Sequence, residues 1–398
     1  MRIAIISDLA RFAWAGCEEI WAALASSALQ AGHQVAAFLP RREVPQAKVQ
    51  PLVSAGLELH LPGSSAAFVD RTRNVSWRLG DFIAGLLPSF AGLNRFAPDV
   101  IWINTGEPVP EPQFLSGLRK SGALNRPYVA MFHNSYLFTT PPEGAHRDKV
   151  VRYYQGARLV LSPADRTRME LEHLLAAKLP HYRTIRNPVN IADLSEIPMP
   201  GGAAVRIASI GRMYTVSKGQ DILLAALAAP EFRARDWQVS FYGSGPHVEH
   251  LRRLARHYDL EPRTAFPGYA TDIRKIWADH HILALPSRNE SAPLVLVEAM
   301  LCGRPSVVTD VGGVAEWVRE PDTGFVSSAA DIGPYRAALE RAWSARSQWG
   351  AIGTRASRAA LERMDPDPGG TALKILETVM AQGDAAKPAE RYAGAVSS

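Results

Sequence analysis

The feature that most restricts the fold of this chain is a rhythm that runs through it twice. Short apolar runs alternate with longer stretches of helical periodicity. In the first half the runs are Ile3–Ser7, Val35–Leu39, Val100–Asn104, Tyr128–Phe132 and Leu159–Ser162. The second half restarts with Val205–Ile210, Val239–Tyr242, Ile282–Leu285 and Ser306–Thr309. Between the first two runs, Ile20, Leu24, Ala28 and Ala31 fall at helical spacing, which predicts a helix from about Cys17 to Ala31 ended by Gly32-His33. Strand-length runs separated by helices call for parallel sheets wrapped by helices. Asn187-Pro188-Val189-Asn190 and then Pro198, Pro200, Gly201 and Gly202 break both periodicities and read as a linker. With 398 residues, too many for one typical core, the expectation is an α/β protein of two doubly wound domains, 1–190 and 200–370, facing across a cleft. After Pro366-Asp367-Pro368-Gly369-Gly370 a helix is expected near Thr371–Gln382. The end of the 371–398 segment, rich in Ala, Gly and Ser, is expected to be a flexible tail.

Bulk properties narrow the function classes. Hydrophobic residues make up 47% and charged residues 21%, ordinary for a globular protein. No apolar run approaches the roughly 18–20 residues of a membrane span. Asp8 comes too early for a secretory leader, and the opening residues read as a strand. Cys17 and Cys302 stand far apart and form no metal-ligand pattern, so a reduced, cytoplasmic protein is expected. The net charge of +5, from 44 basic and 39 acidic residues, suits an anionic substrate or a weak attraction to anionic lipid. Zinc-finger spacings and aromatic–basic RNA signatures are missing from the sequence, so no nucleic-acid partner is expected. The segment Arg71–Arg95 mixes arginines with Trp77, Phe82, Leu86 and Phe90. It is a candidate for docking at the inner face of a membrane, although packing on the N-terminal core is the commoner use of such a segment. Nothing in the pattern specifies an oligomeric state.

Two constellations carry chemistry. In the first, Ile207-Ala208-Ser209-Ile210 delivers Gly211 and Arg212 into a loop, and Lys218-Gly219 stands just before a helical run, Ile222–Ala229. Ligands of open α/β sheets bind at such strand ends. Two cations flanking a helix start make a natural diphosphate clamp, Arg as a fork and Lys as a point charge. In the second, the run ending at Leu285 leads into Pro286-Ser287-Arg288-Asn289-Glu290-Ser291-Ala292-Pro293-Leu294 and on to Glu298. If both glutamates lie on one helix, eight steps separate them by about 12 Å and some 80° around the axis. Such a pair could accept hydroxyls from the two ends of a nucleoside diphosphate sugar, with helix-start N–H groups between them.

Together these segments resemble the retaining glycosyltransferases of GT-B fold often called family 4, or group 1. The likeness is dense from Arg206 to Phe325. It includes Phe241-Tyr242-Gly243-Ser244-Gly245-Pro246, Phe266-Pro267-Gly268-Tyr269, Leu285-Pro286-Ser287, the Glu290…Glu298 pair, Gly303-Arg304-Pro305 and Thr309-Asp310-Val311-Gly312-Gly313. The resemblance implies two Rossmann-like domains and a nucleotide-sugar donor held by the second. Arg212 and Lys218 would bind the diphosphate, with Gly211 beside them. Glu298 would hold the ribose, Glu290 a hydroxyl of the donor sugar, and Ser291, Ala292, Pro293 and Leu294 would surround sugar and phosphate. The loop from Gly268 through Tyr269 would face the base. Ser291-Ala292-Pro293 departs from the Gly-Phe-Gly frequent in the family, and Pro293 removes one backbone donor. The resemblance implies no metal, since protein cations and a helix start serve the diphosphate.

The N-terminal half matches less closely. Trp14-Ala15-Gly16-Cys17 stands where the family usually has a glycine pair, with Gly16 matching the second. Phe132-His133-Asn134 resembles the family's His-Asp or His-Asn element, which would bring His133 to the donor sugar or the reacting centre. Asn104-Thr105-Gly106-Glu107 is a candidate lining for the acceptor side. Gly243-x-Gly245 lacks the third glycine of a dinucleotide fingerprint. Trp102, Trp237 and Trp277 read as core. The expected function is transfer of a sugar from a nucleoside diphosphate sugar to a hydroxyl acceptor, be it a saccharide, a lipid-linked saccharide or a natural product, with retention of configuration. A nucleotide-sugar epimerase of the same fold and an inactive nucleotide-sugar-binding protein are the alternatives.

Overall fold

The computed structural model of the chain describes residues 1–8, 14, 16–39, 44–61, 90, 92–135, 140–195, 197–270 and 272–382. It divides into two compact units. One comprises Met1–Pro188 with the segment from Pro366 onward, and the other Val189–Asp365.

The first unit is built on seven parallel strands in the order β3-β2-β1-β4-β5-β6-β7. Its elements are β1 (Arg2–Ser7), α1 (Gly16–Gln30), β2 (Gln34–Phe38), α2 (Gln46–Ser54), β3 (Glu58–His60), α3 (Leu93–Phe96), β4 (Val100–Thr105), α4 (Pro112–Lys120), β5 (Tyr128–Phe132), α5 (Gly144–Gly156), β6 (Leu159–Ser162), α6 (Asp165–Leu175) and β7 (Tyr182–Thr184). The inner strands are apolar on both faces because helices cover both. Ile3, Ile5, Trp102 and Met131 pack with Ile20, Trp21 and Leu24 of α1, while Ile6, Ile103 and Phe132 pack with Val150, Tyr153 and Tyr154 of α5. This is the burial pattern of a parallel sheet.

The second unit holds six parallel strands in the order β10-β9-β8-β11-β12-β13. It runs β8 (Val205–Ile210), α7 (Thr215–Lys218), α8 (Gln220–Leu227), α9 (Pro230–Arg233), β9 (Trp237–Tyr242), α10 (Val248–His257), β10 (Thr264–Gly268), α11 (Ile273–Asp279), β11 (Ile282–Leu285), α12 (Leu294–Leu301), β12 (Ser306–Thr309), β13 (Phe325–Ser327), α13 (Ile332–Ser344) and α14 (Trp349–Arg363). Trp237 and Trp277 are fully buried here, as Trp102 is in the first unit. The fully buried Arg304 has its guanidinium satisfied by the carbonyls of Trp277, His280, Ile197, Cys302 and Pro198. It thereby fastens the start of the unit to the end of α12.

The last helix, α15 (Pro368–Ala381), belongs to the first unit. Asp367 caps it by accepting from Gly370 N at 2.9 Å. Its buried Ala372, Ile375, Leu376 and Val379 join the cluster that includes Leu24, Ala25 and Ala28 of α1. No periodicity announced this return of the chain. The segment 71–89, most of the candidate lipid-docking stretch, lies outside the described residues, as do Ala15 and the tail 383–398. Among the described residues no helix is long and apolar enough to cross a membrane.

Candidate functional site

In each sheet the chain adds strands first in one direction and then in the other, leaving a switch point between two central strands, where open α/β sheets bind ligands. In the second unit that point lies between β8 and β11. The β8 loop carries Gly211 and Arg212, turns once as α7, and ends at Lys218-Gly219. The β11 loop carries Ser287, Arg288 and Glu290.

These two loops meet. Lys218 Nζ donates to Glu290 Oε1 at 2.5 Å, and Ser287 Oγ donates to the same oxygen at 2.8 Å. Glu290 is 6% exposed, and these two donors replace the water its carboxyl oxygen would otherwise bond. Gly219 adopts a left-handed conformation (φ +62°), and a Cβ there would stand 2.0 Å from the Pro286 carbonyl oxygen. Only glycine allows α8 to begin so close to the β11 loop. Gln220, buried at the start of α8, donates through Nε2 to the Arg212 carbonyl at 2.7 Å and fixes the loop's course.

Two further strand-end loops close in on this pair. After β9, Met213 N donates to Ser244 O at 2.9 Å and His247 N returns a bond to Met213 O at 3.0 Å. After β12, Gly313 N donates to Ser291 O at 2.6 Å. Gly312 has φ +50°, and a Cβ on it would fall 1.7 Å from the Glu290 carbonyl oxygen. Glu290 is therefore held at both its side chain and its backbone.

One expectation needs correction. Glu290 and Glu298 do not share a helix: α12 begins at Leu294, after the N-cap Pro293. Pro293 bars a continuous helix back to Glu290, because the residue before a proline is pushed out of the α region. Glu290 belongs to the loop, and Glu298 is a buried residue of the second turn of α12, 6% exposed. Ser291 is 3% exposed, and its Oγ has no hydrogen-bond partner among the described residues. Tyr269, in the loop after β10, is 79% exposed. Arg212 is half-buried two residues past the end of β8. Sequence reasoning gave no role to Ser287, Arg288, Gln220 or Asp221, all of which bond within these loops.

In the first unit the switch point lies between β1 and β4. Asn104 Nδ2 donates to the Cys17 carbonyl in the first turn of α1 at 3.1 Å, which orients its amide so that Oδ1 faces His133 Nε2 at 2.9 Å. The network therefore assigns the proton of His133 to Nε2. Nδ1 is left as a buried acceptor without a partner among the described residues. Burial pushes the imidazole down to about 3, so the ring is neutral. Gly16, the first residue of α1, is exposed.

On the opposite face of the sheet Asp8 Oδ1 accepts from Gly106 N at 2.8 Å. Burial pushes this carboxyl up to about 7, against the bond from Gly106 and with help from the charge of Glu107. Asn134 Nδ2 donates to Glu107 Oε1 at 2.9 Å. Asp8 was read in the sequence only as part of the first strand. A polar residue directly after a buried strand at the switch point is the signal that could have found it. Among the described residues no three His, Cys, Asp or Glu side chains are grouped to hold a metal.

Residues 204–344 match the model of a family described as glycosyl transferases group 1. An uncharacterised glycosyltransferase of Haemophilus influenzae is 32% identical over 127 residues, which are 32% of this chain and 36% of that protein. The D-inositol 3-phosphate glycosyltransferase of Mycobacterium marinum is 35% identical over 162 residues, 39% of this chain and 34% of that protein. The chain thus spans about a third of the length of the curated relatives it matches. The structure of Anabaena HepE in complex with UDP superposes with a TM-score of 0.72 over 95% of this chain and 100% of that one, at 20% identity. This likeness carries the fold, GT-B with two doubly wound domains, as expected from the sequence.

Proposed function

The chain carries a glycosyl transferases group 1 domain in residues 204–344, and from that premise we propose that it transfers a sugar from a nucleoside diphosphate sugar to a hydroxyl acceptor. The observation that carries this reading is the Lys218–Glu290 pair at the switch point of the second sheet, with Arg212 in the same loop. A sugar nucleotide presents a doubly charged diphosphate beside a neutral, hydroxyl-rich ring. Lys218 and Arg212 meet the first need, and the buried carboxylate of Glu290 meets the second by accepting a sugar hydroxyl.

As the anomeric bond breaks, negative charge grows on the departing phosphate. Cations already fixed beside it stabilise that charge without reorganising, which is where such sites gain most of their rate. Glu298 takes the ribose hydroxyls, Tyr269 and its loop take the base, and Ser291–Leu294 frame the sugar. The two protein cations make a metal unnecessary in this scheme. Retention of configuration and a cytoplasmic setting are part of the same proposal. In the first unit, neutral His133 and the Asn104–Glu107 loop supply hydrogen bonds suited to uncharged hydroxyls. UDP and UDP-glucose are the ligands with which HepE was solved, and they head the list of donors to try.

The test is mass spectrometry, for transfer, and proton NMR, for anomeric configuration and donor isomerisation, of products from a panel of UDP-, GDP- and ADP-sugars incubated with polyol, saccharide and lipid-linked saccharide acceptors. A glycosylated acceptor with one sugar of unchanged anomeric configuration is expected. Free isomerised donor, or nucleotide binding without any turnover, would overturn the proposal.

A further inference from the structure

The loops that present Lys218 and Glu290 are joined by a third residue that the ion pair does not require. Arg288 Nη1 and Nη2 donate to Oδ1 and Oδ2 of Asp221 at 2.7 and 2.8 Å, a two-pronged pairing. Nη1 also donates to the Thr215 carbonyl at 2.6 Å. The backbone N–H groups of Arg288 and Asn289 both donate to the Ser217 carbonyl, at 2.8 and 3.0 Å. The residues so held, Thr215 and Ser217, belong to α7, the four-residue turn that ends at Lys218. Asp221 lies in the first turn of the next helix, α8.

An isolated turn of four residues has no stability of its own, because nucleating a helix fixes several dihedrals for one hydrogen bond. What holds α7 in place is therefore its bonds to neighbours. An ordinary surface ion pair contributes little. This one differs in being bidentate, in using a backbone carbonyl as a third acceptor, and in being backed by two main-chain donors from its own loop.

We infer that Arg288 is a positioning residue that locks α7 to the β11 loop and so fixes Lys218 at the right distance from Glu290 to meet a diphosphate. The inference rests on the proposed donor site and deepens it. Without the latch, α7 retains its bonds to the β9 loop through Thr215 and His247, but its contact with the β11 loop is reduced to the Lys218–Glu290 pair and the main-chain bonds. Lysine at position 288 would keep the charge and lose the fork.

The experiment is a double-mutant cycle on the full chain with Arg288→Ala, Lys218→Ala and both together. UDP, GDP and ADP affinities are measured by titration calorimetry, and thermal unfolding confirms that each variant is folded. Arg288→Ala is expected to weaken binding of the preferred diphosphate about tenfold, with Arg288→Lys recovering only part of the loss. If Arg288 acts through Lys218, its removal in the Lys218→Ala background costs about twofold or less. Wild-type affinity in Arg288→Ala, or a penalty undiminished in the double variant, overturns the latch. Should Arg288→Ala fail to fold, the same cycle is run with Arg288→Lys and the same criterion. If Lys218→Ala itself binds every diphosphate normally, the donor site is wrong and the latch falls with it. A loss with Lys218→Ala alone overturns only the latch.

Discussion

The two units solve the same folding problem and then arm the result differently. Each is a doubly wound parallel sheet with polar side chains gathered where strand addition reverses direction. In the second unit those side chains are charged and matched: Lys218 with Glu290, Arg288 with Asp221. In the first, burial keeps His133 neutral and pushes the Asp8 carboxyl up to about 7. A protein that must receive a multiply charged phosphate has to keep cations ready, and keeping them in a partly buried loop demands counter-charges of its own. A surface that meets only hydroxyls has no such need, and neutral donors and acceptors suffice. The contrast is what the proposed division between donor and acceptor chemistry would produce.

The hardest blow to the contrast is to remove the cation. Lys218→Ala should lower kcat/KM for the donor by about 10²–10³, the usual cost of losing one preorganised group that stabilises a leaving oxyanion. Steady-state kinetics with the preferred sugar nucleotide would measure it. A loss below about tenfold would mean that Lys218 serves mainly to neutralise Glu290. Next comes Gly312→Ala. Its Cβ would collide with the Glu290 carbonyl in a backbone conformation that disfavours a side chain. Loop and strand must shift, so a loss of about 3 kcal/mol in unfolding free energy is expected, together with impaired turnover. Denaturant titration checks the first and kinetics the second. Wild-type stability would show that the four loops are looser than their packing indicates.

How much of this was readable beforehand follows the same division. The nine strands announced by apolar runs are all present, and each lies inside its sheet. The four that were not announced, β3, β7, β10 and β13, are the four sheet edges. An edge strand such as Tyr182-Arg183-Thr184 is short and keeps polar residues toward solvent, so no apolar run marks it. The residues proposed to face the donor stand out in the sequence because they lie in two short continuous segments, each at a strand end. The error over Glu290 came from extending a helix through Pro293. Arg288 and Asp221 were invisible as a pair because 67 positions separate them. Asp8, Asn104 and His133 come from three different strand ends, and only the topology of β1, β4 and β5 makes neighbours of them.

If the first unit deals with neutral hydroxyls, changing His133 should leave the diphosphate site untouched. His133→Ala removes the Nδ1 acceptor and leaves Asn104 Oδ1 without its partner. Turnover should fall about tenfold, the order of one lost hydrogen bond, while the affinity for the nucleoside diphosphate stays as in wild type. Calorimetry and kinetics on one preparation separate the two. A comparable loss in nucleotide affinity would erase the distinction between the units. Because the ring stays neutral down to about pH 3, the variant's pH profile between 5 and 8 should parallel that of the wild type.

The smallest effect tests whether the first unit's neutrality is built in, and its sign can be worked out. Asp8 is raised from 3.8 to about 7 on folding. The folded chain therefore holds a proton that the unfolded chain has lost between those values, and stability from this group falls as pH rises through 7. His133 is lowered from 6.5 to about 3, so its contribution is complete above 6.5 and is lost as pH falls toward 3. Between about pH 4 and 6.5 the two slopes oppose each other, and above that range Asp8 alone remains. Asp8→Asn keeps an oxygen for the Gly106 N–H and cannot ionise. At pH 4, close to the unfolded carboxyl's value of 3.8, little of that stability has been lost and the variant should unfold at nearly the wild-type temperature. At pH 8.5, where wild type must bury a charge beside Glu107, the variant should unfold roughly 2–4 °C higher. Thermal scans at the two pH values measure the difference directly. An equal shift at both would mean that Asp8 carries its charge in solvent, and that the first unit, like the second, keeps ionised groups at its switch point.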